Sequence, residues 1–454
     1  MPLISKKHIK STRQLVADQV LRPAQQFFKK EASSGILLIA VTIIAIIWTN
    51  SGFEKTYHSF WHTEISFTLG RFHISKTILH WINDGFMALF FFTVGLEIKR
   101  EILVGELSTP KKALLPVFSA LGGIVVPGLI YATLNAGHPT ISGWGVPVAT
   151  DIAFALGALA LLGRRLPVGL RIFLAALAIA DDLGAVVIIA LFYTKKIIWS
   201  YLVVCLFLIL VLAVANRLWV RSPLVYALLG IAVWFFVLKS GVHATIAGVV
   251  VSFFVPARGK YDTDHFLQNV KKITENFECA EQSCGYSILL NQEHLHAVQS
   301  LELACHDVET PLQRLMHALH PWVVFFILPL FALGNTGLSL QKIVLSDVVS
   351  SPVFSGIIFG LVFGKPAGVM LFSYISVKTG IASLPQEIRW SHILGGAMLA
   401  GIGFTMSLFM SELSFSDPQV IDYAKISILC GSILSAVMGM SFLGFISITA
   451  PGGK

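Results

Sequence analysis

The sequence predicts an all-α integral membrane protein of about twelve transmembrane helices, on three observations. Of its 454 residues, 55% are hydrophobic and only 13% charged, about half the charge of a soluble domain. Apolar windows recur along the chain, most of them long enough at about 1.5 Å per residue to cross a hydrocarbon core of about 30 Å. Lys and Arg collect in alternate connections between the windows, as they do when every second loop faces the cytoplasm.

The windows fall at 34–50, 78–98, 113–134, 144–163, 170–193, 199–216, 223–238, 242–256, 318–335, 352–377, 390–411 and 424–447. The first follows some thirty mostly polar residues, with no small-residue cleavage pattern after it, and is expected to stay as a helix rather than leave as a signal peptide. Lys6, Lys7, Lys10, Arg13, Arg22, Lys29 and Lys30 precede it. Lys99, Arg100, Lys111 and Lys112 follow window 2; Arg164, Arg165 and Arg171 follow window 4; Arg217 and Arg221 follow window 6. All lie on one side if both termini are cytoplasmic, and the opposite loops hold only Lys195, Lys196 or Lys239. Basic loops therefore account for the net charge of +8, and no stripe of basic and base-stacking residues suggests nucleic acid.

Three polar pieces flank the windows. Residues 1–33 include an interfacial stretch at 13–30, interrupted by Pro23. Residues 62–75, HTEISFTLGRFHIS, alternate apolar and polar around Gly70 and read as a hairpin on the outer side, within a membrane region of 34–257. Residues 258–313 form a cytoplasmic insertion in which Phe266, Val270, Ile273 and Phe277, then Leu295, Val298 and Leu301, recur at helical spacing. Windows 9–12 occupy 314–447, and 448–454 form a cytoplasmic tail. Cys279, Cys284, Cys305, His294, His296 and His306 gather in the insertion, but C-x4-C, H-x-H and CH match no standard zinc finger, so reduced thiols are expected. Cys205 and Cys430 read as core residues.

Charge inside the windows is the stronger signal. IFLAALAIADDLGAVVIIALFYT sets Asp181 and Asp182 at its tenth and eleventh positions, near mid-depth. Each buried carboxylate costs about 2.5–3.5 kcal/mol on insertion scales, so a mere anchor would not carry two. Window 4, GWGVPVATDIAFALGALALLG, holds Thr150 and Asp151 shortly after Pro147, and window 10 holds Lys365 as the thirteenth of the 25 residues from Val353 to Val377. Window 11, HILGGAMLAGIGFTMSLFM, carries Gly395, Gly396, Gly401 and Gly403. Glycine and proline at mid-depth interrupt a helix, and the freed backbone groups are tolerated only beside protein or water. Windows 3–5 and 10–12 enter from opposite sides, each triplet with an interrupted middle member, which is the pattern of an inverted-repeat transporter.

VATDIAFALG, LAIADDLGAVVIIALFY, GLEIKRE, KSGVHATIAG, ALHPWVVFFILPLFALGN, FGKPAG and GIGFTMS, in their several places, resemble the NhaA-type sodium/proton antiporter family, from Ala32 to Met440 apart from the insertion. That family is itself a standard example of inverted repeats. The resemblance implies a bacterial inner-membrane antiporter, not an enzyme, that exchanges more protons than Na+, also accepts Li+, needs no cofactor and forms a homodimer, with 62–75 a candidate contact. It implies Asp182 as main cation ligand and proton carrier. Asp181 is implied to contribute and to pair with Lys365, which would itself release a proton on Na+ binding. Windows 4 and 11 would break and cross, Asp151 offsetting facing helix N-termini and Lys365 facing C-termini. Glu97, Lys99, Arg100 and Glu101, with His243, His317 and His320, fall where the family senses pH and admits ions. Met316 stands where the family usually has Glu, which removes one sensor carboxylate, and the insertion is longer than the family's usual loop.

The chemistry agrees. Na+ is a hard cation that takes oxygen ligands, here carboxylates with the Thr150 hydroxyl, backbone carbonyls and water as further donors. Burial and like charge disfavour an ionised carboxylate, so protons and Na+ compete for the same oxygens. A site that crosses loaded with either, but never empty, exchanges one for the other. Plainer readings stay open at each position: an ion pair with a spare acid for Asp181, Asp182 and Lys365; a cap for Asp151 and for Asp84; a packing hydroxyl for Thr150; a solvated helix end for Glu97, Arg100 and Glu101; a packing residue for His243. An intramembrane aspartyl protease needs its acids on separate helices in YD and GxGD contexts, which are missing here. A channel would repeat one filter loop, and no repeat of that kind is visible; a transport-inactive scaffold would not need to keep the central polar residues.

Overall fold

The computed structural model describes residues 32–69, 72–163, 166–194, 197–259, 263–275, 292–385 and 388–449. The interfacial stretch at 13–30, Gly70, Arg164, Arg165, Lys195, Lys196, Cys279 and Cys284 lie outside the described residues. Among those described, eight helices are long and apolar enough to cross a membrane, or ten if two bent pairs each count as one. Two of the twelve windows fall short of that measure for physical reasons. Met87–Val104 is helical but carries Glu97, Lys99, Arg100 and Glu101 near its end, and Ala244–Phe254 spans only 11 residues, about 16 Å.

The chain divides into two compact units. The larger comprises residues 1–86, 104–193 and 324–454. Its elements are α1 (Ala32–Asn50), α2 (Glu54–Trp61), β1 (Glu64–Leu69), β2 (Phe72–Thr77), α3 (Pro110–Leu134), α4 (Ile152–Leu161), α5 (Val168–Phe192), α6 (Leu328–Asn335), α7 (Pro352–Phe359), α8 (Lys365–Lys378), α9 (Trp390–Ala400), α10 (Phe404–Ser414) and α11 (Pro418–Thr449). Strands β1 and β2 pair antiparallel, from Glu64 opposite Thr77 to Leu69 opposite Phe72. The Tyr57 hydroxyl on α2 donates to the Leu333 carbonyl at 2.7 Å, and the Asn83 and Asn335 amides pair reciprocally at 3.0 and 3.2 Å, tying α6 to this end of the unit.

Helices α3 and α8 form the backbone of the unit. They cross glycine on glycine: a Cβ at Gly122 would stand 2.1 Å from the Gly368 carbonyl oxygen, and one at Gly368 equally close to that of Gly122. Ser119 and Ser373 meet hydroxyl to hydroxyl at 2.6 Å beside this crossing, small residues permitting close approach and hydroxyls bridging it. Between α7 and α8 the chain widens into a π turn, Gly360–Gly364. Pro366 has no N–H to give the Val362 carbonyl four residues earlier, so the α ladder cannot run through unchanged.

Both interrupted windows are broken. Pro139–Val148 is a 3₁₀ arm that meets α4 at 42°, and α9 meets α10 at 48° across Gly401–Gly403. The smaller unit, residues 87–103 and 194–323, contains all but the last residue of Met87–Val104, with Trp199–Arg217, Pro223–Ser240, Ala244–Phe254 and Pro311–Trp322, around a core that includes Leu96, Leu212, Tyr226, Val233 and Met316. In the insertion, helices Thr263–Glu275 and Gln292–Val308 pack on each other.

Since a side chain at the glycine crossing would meet backbone and not a movable tip, Gly122→Val is expected to destabilise the protein by about 1–3 kcal/mol. Gly157→Ala, where nothing lies within 4 Å of the added carbon, should be neutral or stabilising by up to about 1 kcal/mol. Thermal unfolding in detergent distinguishes the two.

Candidate ion site at two broken helices

A helix broken inside the bilayer leaves orphan N–H groups on one side of the break and orphan carbonyls on the other. Here the orphans of both breaks meet the same few side chains. Asp151 is the N-cap of α4: its Oδ1 accepts from the Phe154 N–H at 3.1 Å, while Oδ2 accepts from the Thr405 N–H at 3.1 Å and from the Thr405 hydroxyl. Its own N–H donates to the Ile402 carbonyl at 2.7 Å. One carboxylate, 2% exposed, thus serves the first turns of both α4 and α10, where negative charge suits the helix dipoles.

The carbonyl ends are met from the other sign. Lys365, the first residue of α8 and fully buried, donates to the Val148 carbonyl at the end of the 3₁₀ arm and lies 2.6 Å from Asp181 Oδ2. The Thr150 hydroxyl lies 2.7 Å from that same Oδ2 and 2.9 Å from the Ala400 carbonyl, the last residue of α9. A polar chain therefore runs from Val148 through Lys365, Asp181 and Thr150 to Ala400, joining the C-terminal ends of the two half-helices before the breaks. The Thr150 hydroxyl has one proton for two acceptors. Asp181 Oδ1 is buried with no hydrogen-bond partner among the described residues. Asp182 is next along α5 and is 1% exposed.

The Lys365 ammonium meets Asp181, and two further buried carboxylates, Asp151 and Asp182, belong to the same unit. Buried charge without compensation is costly. Carboxylates, a hydroxyl and helix-end carbonyls are the oxygen donors that a hard cation takes. Among the described residues no three His, Cys, Asp or Glu side chains are grouped as a resident metal site would need.

Of the residues singled out in the sequence, Thr150, Asp151, Asp181, Asp182 and Lys365 belong to the larger unit, and Glu97, Arg100, Glu101, His243 and His317 to the smaller. In the latter, Arg100 pairs with Glu101 at 2.7 Å and reaches the Met316 sulfur at 4.0 Å; Glu97 stands 3.8 Å from His320, and Glu309 3.6 Å from His317. Lys99 donates to the Phe253 carbonyl at 2.6 Å. His243 is the N-cap position of Ala244–Phe254, its carbonyl accepting from the Ile246 N–H. Sequence reasoning misses Thr405, Ser407, whose hydroxyl donates to the Val146 carbonyl at 2.8 Å, and the carbonyls of Val148, Ala400 and Ile402. The one available signal for Thr405 is a hydroxyl residue just behind a glycine-flanked break, where helix N-termini favour it.

Buried acids and a lysine beside two broken helices, in a chain built of apolar spans, fit a secondary transporter, the class of its family and relatives. The chain belongs to the Na+/H+ antiporter 1 family, whose model matches residues 25–443. It is 48% identical over 422 residues to the Na(+)/H(+) antiporter NhaA of Oleidesulfovibrio alaskensis, covering 93% of each chain. With NhaA 1 of Saccharophagus degradans it shares 44% identity over 429 residues, covering 94% of this chain and 92% of that one. With NhaA of Helicobacter pylori strain G27 it shares 46% over 421 residues, covering 92% and 94%. Among solved structures, the sodium proton antiporter MjNhaP1 of Methanocaldococcus jannaschii matches with a TM-score of 0.50 over 97% of both chains at 12% identity, a likeness of fold.

Asp151→Ala strands the buried donors of two helix starts and is expected to cost about 2–4 kcal/mol, whereas Asp151→Asn keeps one acceptor and should lose about half of that. Thermal unfolding of the two variants beside the parent checks the difference.

Proposed function

We propose that the chain is an electrogenic Na+(Li+)/H+ antiporter of a bacterial inner membrane, exporting Na+ against entering protons and so serving sodium and pH homeostasis. Family membership supports the exchange of Na+ for H+. The observation that carries the finer reading is the pair of broken helices whose ends are tied together by Asp151, Lys365 and Thr150 beside buried Asp181 and Asp182.

In this reading Asp182 is the principal cation ligand and proton carrier. Asp181 contributes its Oδ1 and holds Lys365 through Oδ2. A cation arriving at Asp181 and Asp182 competes with the Lys365 ammonium for the same carboxylate, which favours release of a proton, and proton uptake in turn displaces the cation. Exchange of two protons for one Na+ would move net charge across the membrane. Thr150 supplies a hydroxyl oxygen, and Thr405 fixes Asp151. Glu97, Arg100, Glu101, His243 and His317 form the pH-responsive cytoplasmic entrance. Twelve spans, of which 3–5 and 10–12 form two inverted triplets, with windows 4 and 11 crossing at their breaks, both termini in the cytoplasm and 258–313 as a cytoplasmic insertion, complete the architecture. A homodimer with the 62–75 hairpin at its contact is the assembly we favour.

The test is cation-driven collapse of a preformed ΔpH in everted vesicles or proteoliposomes, with Na+, Li+ or K+ added between about pH 6.5 and 9. Na+ and Li+ should collapse the gradient and K+ should not, and Asp182→Asn should lower the rate by at least about a hundredfold. A folded parent that shows no Na+-dependent collapse, or an Asp182→Asn variant as active as the parent, would refute this reading of the site.

A further inference from the structure

The arm Pro139–Val148 is ten residues of 3₁₀ helix, where such runs rarely exceed three or four residues because their hydrogen bonds are poorly aligned. Something outside the arm must hold it. Four of its carbonyls accept from side chains on other elements. The Thr140 carbonyl accepts from the Tyr131 hydroxyl at 2.9 Å and the Ser142 carbonyl from the Tyr193 hydroxyl at 2.7 Å. The Val146 carbonyl accepts from Ser407 at 2.8 Å, and that of Val148 from Lys365.

These acceptors form two pairs, Thr140 with Val146 and Ser142 with Val148, each six residues apart. Six residues are two whole turns of a 3₁₀ helix, about 12 Å long, so the members of each pair share one face. In an α-helix six residues rise about 9 Å and end about 120° out of register. The donors at both ends of the arm can be used together only at 3₁₀ pitch. The sequence GWG makes room for this. A Cβ at Gly143 would stand 2.6 Å from the Tyr131 hydroxyl oxygen, and one at Gly145 2.9 Å from that of Tyr193.

We propose that Tyr131, Tyr193 and Ser407 are positioning residues for the ion exchange: they hold the arm at 3₁₀ pitch, so that the Val148 carbonyl meets Lys365 and Thr150 meets Asp181. None of the three touches the carboxylates through a bond described above; they act through the arm. Losing a donor lets the arm relax toward α pitch, which draws Val148 back by about 3 Å relative to Ser142 and turns it off Lys365. The ion site is then formed in a smaller fraction of molecules, and apparent affinity falls by that fraction.

This inference rests on the antiport reading above, and the experiment separates the two. Reconstituted parent, Tyr131→Phe, Tyr193→Phe, Ser407→Ala and Tyr226→Phe are compared for the rate of ΔpH collapse against Na+ and Li+ concentration, and for thermal unfolding with and without Li+. Tyr226 is the control: its hydroxyl also donates to a backbone carbonyl, that of Val220 at 2.9 Å, but within the other unit. The three arm variants should raise the apparent KM for both ions about fivefold with kcat within about twofold, and should lower the Li+-induced rise in unfolding temperature. Tyr226→Phe should lower the unfolding temperature without moving KM. Arm variants whose KM stays within twofold of the parent overturn the inference, as does a Tyr226→Phe variant that shifts KM as much as they do. A parent without Na+-dependent exchange overturns the antiport reading itself.

Discussion

No water is available in a hydrocarbon core to satisfy a backbone group that a helix has released, and the architecture of the larger unit follows from that constraint. Two helices are broken within apolar windows, so four helix ends need partners there. Asp151 takes the two N-terminal ends, Lys365 and Thr150 the two C-terminal ends. The partners that repair the backbone are also the titratable and oxygen-bearing groups of the site. In the antiport reading proposed above, structural repair and ion chemistry draw on one set of atoms, so neither break could be straightened without dismantling the other's surroundings.

The same economy explains how charge is distributed. Asp151 is held by two helix starts and Asp181 by Lys365 and Thr150. Each of these two carboxylates has a fixed structural engagement. In the smaller unit, near the end of Met87–Val104, Arg100 pairs with Glu101 and Glu97 stands beside the His320 ring. Met316 lies in the apolar core there, only 7% exposed, with the Arg100 guanidinium at its sulfur. A glutamate at that position would meet the guanidinium as an ion pair, whereas methionine offers it only a thioether sulfur.

Much of the fold is legible because hydropathy in a window marks where a chain must satisfy its own backbone, and Asp151, Asp181, Asp182 and Lys365 are legible because charge in such a window is expensive. Thr405 and Ser407 are not. A hydroxyl costs little in a helix because it can bond its own preceding carbonyl, as Thr42 does to Leu38 at 2.7 Å, so its presence alone signals nothing. The carbonyls of Val148, Ala400 and Ile402 have no letter in the sequence at all. The pitch of GWGVPV is equally hidden, since it is decided by Tyr131 on α3 and Tyr193 at the C-terminal cap of α5. The count of spans is blurred where physics is mixed: Met87–Val104 ends in charge, and Ala244–Phe254 is short.

The glycine crossing of α3 and α8 has a mechanical meaning. Where two helices touch backbone to backbone they cannot slide without collision, yet they can swivel, so the Gly122–Gly368 contact is a fulcrum. Lys365 lies one turn from it, about 4.5 Å along the axis, whereas the end of α8 at Lys378 is about 15 Å away. A tilt of about 10° would move the first by under about 1 Å and the second by about 2.6 Å. Leverage of this kind lets the far ends of the two helices travel while the ammonium stays beside its carboxylate.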